Sequence, residues 1–401
     1  MRPRAIRVTI EPDVESHLDQ AIALVNETHE LNFTKDRLKT DMEKARRKLR
    51  KRLAGINKQA GLVRVADGDR DYGYCGFFVA HTKGDRTRLS QFCFAPEIRG
   101  LGVEHWLYDK LKRPDIEVVG NVASDLSRPV PIDWICEERL DDVPALRRAA
   151  VSGRCSVAGL VHYFRSDGYD VTAAVDEIRD SIIIRRDHTQ MIRYALEGLT
   201  ESDLAVLRLL GFEDSDFQTK LIDEAVPPAL VVLGHWGDTQ KIMWRHKASG
   251  LLVPHALKRP GKRARKRKKK EMSERAKAAN AYLHDHFEFA GAMPEDQTGR
   301  NLDLILDKLP AGIPLFVILA PDRRPDGSLV ESAVALNRCT SEASQRHPRK
   351  TLIALSLTDF LGNEARHSVN HFHRNVYHRM YREILARHAM LLGDTQPANG
   401  R

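Results

Sequence analysis

Residues 14 to 31 set Val14, Leu18, Ile22, Val25 and Leu31 at close to helical spacing behind Pro12, which predicts an amphipathic helix with a buried face. From Lys35 to Lys58 the chain is mostly Lys, Arg, Asp and Glu, the pattern of a solvated helix. Three stretches rich in β-branched and aromatic residues follow, Leu62 to Ala66, Tyr74 to His81 and Arg88 to Ala95. Gly and Asp separate them, so they predict an antiparallel meander. A helix over residues 102–111 closes this unit.

Prolines at 129, 131 and 144 mark a connection, and beyond it short unbroken apolar runs alternate with helical stretches. The runs cover 148–152, 181–184, 230–233, 315–319 and 352–357; the helices cover 157–165, 189–197, 202–210, 274–287, 301–308 and 370–388. Strands that are apolar on both faces, spaced by helices, predict a parallel sheet covered on both sides. The fold class is therefore α/β. A mixed α+β domain spans 1–120, a linker 121–144, a three-layer α/β/α domain 145–390 and a flexible tail 391–401.

Length predicts two or three domains, since 401 residues exceed what one ordinary core organises. The net charge of +9 is local: Lys258 to Glu271 carries ten basic residues and one acid, and the remainder is balanced. Five cysteines (Cys75, Cys93, Cys136, Cys155 and Cys339) form no CxxC pair and no secreted framework, which points to a reducing, cytoplasmic setting. Residues 1–11 lack the apolar stretch of a signal peptide, and no uncharged run approaches the ~20 residues of a membrane span.

In a parallel sheet, ligands bind beyond the carboxyl ends of the strands, where loops and helix amino termini converge. That rule selects Gly153, Arg154, Cys155 and Ser156 after the first run and Asp187 and His188 after the second. It selects Gly234, His235, Trp236, Gly237 and Asp238 after the third, and Asp359 after the fifth. The last helix opens with Asn370, His371, Phe372 and His373.

This order resembles the SGNH/GDSL hydrolase family over about residues 145 to 390. The family's Gly-Asp-Ser stands here as Gly153, Arg154, Cys155, with Ser156 one residue later; its Asp-x-x-His stands as Ser368, Val369, Asn370, His371. Its Gly-x-Asn-Asp block has a looser counterpart in Gly234 to Asp238. The resemblance implies an acyl-ester or thioester hydrolase, or an acyltransferase. Cys155 or Ser156 would attack the carbonyl, His371 would carry the proton, and Gly153, Asp187, His188, Gly234 and Asp238 would line the oxyanion and substrate site. A thiol with an ordinary pKa of about 8.5, lowered at a helix amino terminus, needs less help than a hydroxyl, and Asp359 is the candidate replacement for the acid missing at Ser368.

Structural roles compete for the same residues. The Gly-x-Cys-Ser turn also fits a tight strand-to-helix connection with a buried cysteine, and Asp187 and Asp238 fit turn or cap positions. His371 and His373 point apart at a helix start without other ligands at metal spacing, so no metal is expected. Phe372, Val376, Met380 and Ile384 recur every four residues as a core stripe.

The first unit carries a second resemblance. Residues 24 to 38 (with Asn26, Thr28, Leu31, Asn32, Phe33 and Thr34), Asp69 to Phe78 and Phe92 to Trp106 are similar to the acetyltransferase-like (GNAT-like) tail of FkbH-like proteins, which load glyceryl units onto carrier proteins. The partner domain of those proteins is missing here, so glyceryl loading does not carry over. In acetyltransferase folds a Gly-rich turn at a helix start holds the pyrophosphate of coenzyme A. The matching stretch is Glu97, Ile98, Arg99, Gly100, Leu101, Gly102, with an acid in first place; Arg99, Gly100 and Gly102 are the candidate cofactor residues. No cofactor is required, while coenzyme A or carrier-bound phosphopantetheine fits the resemblance.

The basic run 258–270 reads either as a solvated loop or as an arm for an acidic carrier protein, glycan or nucleic acid. Without interleaved aromatic residues it is not a sequence-specific reader. Two readings therefore stand. One is an acyl-transfer enzyme of polysaccharide or secondary-metabolite tailoring; the other is a noncatalytic scaffold with a degenerate hydrolase fold that docks an acidic partner through the basic run.

Overall fold

The computed structural model describes residues 6–38, 40–53, 58–68, 70–83, 86–138, 147–218, 221–222, 226–255, 273–324, 326–360, 372 and 374–393. The chain is mixed α/β and divides into two compact units. One holds 1–145, 166–168 and 373–378; the other holds 146–165, 169–372 and 379–401. The basic run 258–270, His371 and the tail beyond residue 393 lie outside the described residues.

The first unit is built on β1 (Ile6–Glu11), α1 (Leu18–Glu27), β2 (Leu31–Asn32), α2 (Met42–Leu53), β3 (Lys58–Asp67), β4 (Arg70–Lys83), β5 (Arg86–Phe94), α3 (Val103–Lys110), β6 (Asp115–Ile116) and β7 (Ile135–Glu137). Its sheet runs β2-β5-β4-β3-β1-β7, with β6 also on β5. The meander β3-β4-β5 is antiparallel as the alternation predicts, whereas β6 lies parallel to β5 and β7 parallel to β1. Alternate residues feed two cores: Leu62, Phe77, Val79 and Cys93 pack with α1 and α2, while Val63, Val65, Phe78, Phe92 and Phe94 pack with Val103 and Leu107 of α3.

Two expectations change here. Helix α2 is not wholly solvated, because Ala45, Leu49 and Leu53, spaced by four, form a buried stripe beneath its basic face. Nor do residues 121–138 behave as a linker: Leu126 and Ile135 join the core, and Trp134 Nε1 donates to the Leu101 carbonyl at 2.9 Å. The prolines there shape the chain without detaching it.

The second unit contains β8 (Arg148–Gly153), α4 (Cys155–Ser166) apart from its last residue, β9 (Asp170–Val175), β10 (Glu177–Arg179), β11 (Ile182–Ile184), α5 (Thr189–Glu197), α6 (Glu201–Leu209), β12 (Leu230–Gly234), β13 (Met243–His246), β14 (Leu252–Pro254), α7 (Glu274–His286), β15 (Phe287–Gly291), α8 (Glu295–Lys308), β16 (Leu315–Leu319), α9 (Glu331–Arg346), β17 (Leu352–Ser356) and, from residue 379 onward, α10 (Arg374–Gly393). Five strands form a parallel sheet in the order β17-β16-β12-β8-β9. On one face Ala150, Val231, Leu233, Leu315 and Val317 meet apolar residues of α5, α8 and α9. Helices α4 and α10 pack together through Phe164 and Tyr381, whose rings meet edge to face at 5.0 Å.

The apolar run 181–184 does not enter this sheet. It forms β11 of a separate β10-β11 hairpin and packs with Leu207, Phe212 and Phe217, alongside Trp244 and Phe287 of the small β14-β13-β15 sheet. The second strand of the parallel sheet is β9, an edge strand with only partly buried side chains, so it lacks the continuous apolar run of a central strand. Among the described residues no helix is long and apolar enough to cross a membrane.

Candidate functional site

Strand order reverses between β8 and β12. From β8 the chain first adds β9 on one side, then returns to add β12, β16 and β17 on the other. This is the switch point of the sheet, the place where ligands bind in open parallel sheets. The parallel register sets Gly153 opposite Gly234 there. A Cβ on Gly153 would lie 2.6 Å from the Gly234 carbonyl oxygen and 2.9 Å from Val157, and its φ of +151° belongs to glycine. Only a glycine lets the two strand ends close and α4 start at Cys155; the side chains of Cys155 and Ser156 lie outside the described residues.

Residues 185–189 are stitched across these strand ends. Ser152 Oγ donates to the Arg186 carbonyl at 3.3 Å, and the Gly237 amide donates to the Asp187 carbonyl at 3.0 Å. The amides of Arg186 and Asp187 donate to Asp176 Oδ1, just past β9. Arg185 makes a bidentate pair with Asp187, at 2.8 and 2.7 Å, and reaches Asp176 Oδ2 at 3.1 Å. Burial and the neighbouring Asp187 carboxylate push the Asp176 carboxyl up to about 7, against the pull of Arg185 and Arg154.

A second cluster lies beside it. His188 Nδ1 stands 2.8 Å from Asp238 Oδ1, with both side chains buried. Asp238 also accepts from the Thr189 amide (3.1 Å), Thr189 Oγ1 (2.6 Å) and Thr298 Oγ1 (3.3 Å); Asn301 Nδ2 donates to Thr189 Oγ1 at 3.0 Å. Burial opposes the charge on Asp238, yet His188, His235 and Thr189 hold its carboxyl below the ordinary value. Burial pushes the His235 imidazole down, against the attraction of Asp238 and Asp187. Trp236 Nε1 donates to the Ile318 carbonyl at 2.8 Å and pins the turn to β16.

Of the residues selected from sequence, Gly153, Asp187, His188, Gly234 and Asp238 come together at the switch point. Asp359 does not join them: it is exposed after β17, the edge strand, with β16 and β12 between it and β8, roughly 14 Å at ordinary strand spacing. His371 lies outside the described residues. Sequence reasoning missed Asp176, Arg185, Thr189 and Asn301. Asp176 directly follows β9, so the strand-end rule would have selected it once that strand was recognised. Among the described residues no group of His, Cys, Asp and Glu fits a metal.

In the first unit the candidate cofactor turn joins β5 to α3. Arg99 pairs with Glu30 at 2.6 Å, both exposed, and a Cβ on Gly102 would meet Ile132 at 3.0 Å and Trp134 at 3.4 Å. Glu104 is buried in the first turn of α3, where the helix dipole would otherwise favour a phosphate. No family model, curated protein or solved structure matches the chain.

Proposed function

We propose that the second unit catalyses acyl transfer from an ester or thioester, to water or to an acceptor hydroxyl, at the switch point beyond β8 and β12. The observation that carries this reading is the register that sets Gly153 opposite Gly234 at the reversal of strand order. It puts the turn bearing Cys155 and Ser156 beside a turn bearing buried histidine and carboxylate side chains. Cys155 or Ser156 is the attacking group and a histidine carries the proton, His371 being the one that the SGNH/GDSL resemblance implies. Polysaccharide or secondary-metabolite tailoring is the setting that the two resemblances favour.

Among thioester donors, coenzyme A or a carrier-bound phosphopantetheine is the class that the acetyltransferase-like resemblance of the first unit favours. The order β5, α3, β6, with β6 parallel to β5, supports that kinship. Incubating the full chain with p-nitrophenyl acetate and mapping the acetylated peptide tests the activity. Modification at Cys155 or Ser156, abolished in the Cys155→Ala, Ser156→Ala double variant, is expected. An unmodified 153–166 peptide would overturn the reading.

The noncatalytic scaffold is a second reading, favoured by the internal partners of Asp187 and Asp238, which spend both carboxylates on the protein itself. Its acidic partner would dock on the basic run 258–270. An acetylated nucleophile separates the two readings.

A further inference from the structure

We propose that the open edge of β17 is a self-association surface, pairing antiparallel with β17 of a second copy of this chain, independently of any acyl transfer. β17 closes one side of the five-stranded sheet, where it is bonded to β16. The Leu315 amide donates to the Thr351 carbonyl at 2.8 Å, and Leu315 stands opposite Leu352. In a parallel ladder that bond turns the backbone groups of Thr351, Ile353 and Leu355 toward β16, and those of Leu352, Ala354 and Ser356 toward the open side. Among the described residues no backbone group pairs with them there. A row of unpaired amides and carbonyls is a template for another strand.

The devices that usually blunt such an edge do not occur on this one. From Thr351 to Thr358 no residue is charged or a proline, the register with β16 runs without a bulge, and Ala354 at the centre of the strand is exposed.

Charge at the two ends identifies the occupant. Arg349 stands just before the strand and Asp359 just after it; both are exposed, and neither side chain has a partner among the described residues. Twofold pairing centred on Ala354 sets that residue opposite its counterpart and Leu352 opposite Ser356 of the second copy, so the open amides and carbonyls meet complementary groups. The same register brings Arg349 of each copy to the end where Asp359 of the other stands. Parallel pairing in register would instead set each charge beside its own kind. At β9, the opposite edge, Asp170 and Asp176 flank the strand, so twofold pairing there would oppose like charges.

Sedimentation velocity of the full chain from about 1 to about 100 μM reads the association. One short strand pair is a small interface, so a weak dimer within that range is expected. Ala354→Pro removes an amide that faces the open side, leaves the ladder to β16 intact and is expected to keep the protein monomeric throughout. Arg349→Asp sets like charges at both ends of the pair and is expected to weaken the dimer about tenfold; adding Asp359→Arg is expected to restore it. Circular dichroism checks that each variant is folded, and the charge series on two exposed side chains carries the test should Ala354→Pro unfold. A wild type that stays monomeric would overturn the proposal, as would a dimer that either folded variant leaves unchanged. A charge-reversed pair that associates as weakly as Arg349→Asp alone would overturn the antiparallel register.

Discussion

Two strand-to-helix turns, one in each unit, both turn on a glycine and are built differently. Before α3, Gly100 lies in the left-handed region, with a φ of +81° and open space where a Cβ would point. Its positive charge is matched by Glu30, and Glu104 occupies the helix start. Before α4, Gly153 is pressed against the backbone of Gly234, and the neighbouring turns carry a dense buried network of Asp, His, Thr and Asn. Glycine in the first turn relieves the backbone; in the second it permits a close approach between strands at a switch point. What is shared is a glycine at the turn, and the surroundings set the two apart.

The sharpest way to break this comparison is to give both turns a methyl group. Gly153→Ala faces a backbone oxygen at 2.6 Å in a conformation that L residues avoid, and is expected to cost about 3 kcal/mol or more. Gly100→Ala meets no atom and carries only the left-handed penalty, about 1 kcal/mol. Urea unfolding of the two variants reads the difference. Equal losses would show that the approach of Gly153 to Gly234 is not a constraint of the fold.

Acid sharpens the contrast at an intermediate scale. In the second unit burial pushes His255 down to about 4, with only the Leu210 carbonyl, 3.2 Å from Nε2, favouring its charge. A lowered folded-state pKa stabilises above the unfolded value of 6.5, and that contribution disappears as pH falls from there through about 4; the gap corresponds to about 3 kcal/mol. Asp176 runs the other way. Its raised pKa stabilises below 3.8, and the gain is lost as pH rises through about 7. In the first unit Asp13 and Asp71 are lowered, Asp71 to about 2, so their contributions persist until pH falls below the ordinary carboxylate value of 3.8. Hydrogen exchange at pH 4.5 against pH 7 should therefore loosen residues 207–217, whose Leu210 and Phe212 meet His255, before the β3-β4-β5 meander. His255→Gln should remove most of that pH dependence, and an unchanged pH dependence in this variant would rule the histidine out as its source.

The same contrast explains what could be read in advance. Strands β8, β12, β16 and β17 are central or strongly apolar, so unbroken runs announce them, and the strand-end rule then selects Gly153, Gly234 and Asp238 as neighbours. Strand β9 was hidden because Asp170 to Val175 is an edge strand with small, half-buried residues, while the more apolar Ile182 to Ile184 serves a different core. Helix α9 was hidden for a related reason: its buried stripe is Ala333, Leu336, Cys339, Thr340 and Ala343, mostly small or weakly apolar. Residues 185–189 reach the site through the tertiary path that follows β9 and the hairpin. Asp187 and His188 were therefore selected at a strand end that proved to be the hairpin's, and Arg185, Thr189 and Asn301 carried no local signal at all.

The smallest expected effect tests the first turn directly. Arg99 and Glu30 are both more than half exposed, so breaking their pair by Arg99→Ala should cost well under 1 kcal/mol and less still in high salt. Were the turn an anion site, the same substitution would instead act on a ligand. Coenzyme A would then protect the backbone amides of 99–104 from exchange in wild type, and Arg99→Ala would weaken that protection about tenfold, the ordinary worth of one charge-assisted contact. With Glu104 buried at the start of α3 and Ile132 and Trp134 closing over Gly102, the expected result is no protection at 1 mM coenzyme A, on the order of a typical cellular ligand. Protection that appears only in Glu104→Gln would show that a single carboxylate separates a packing turn from a phosphate cradle.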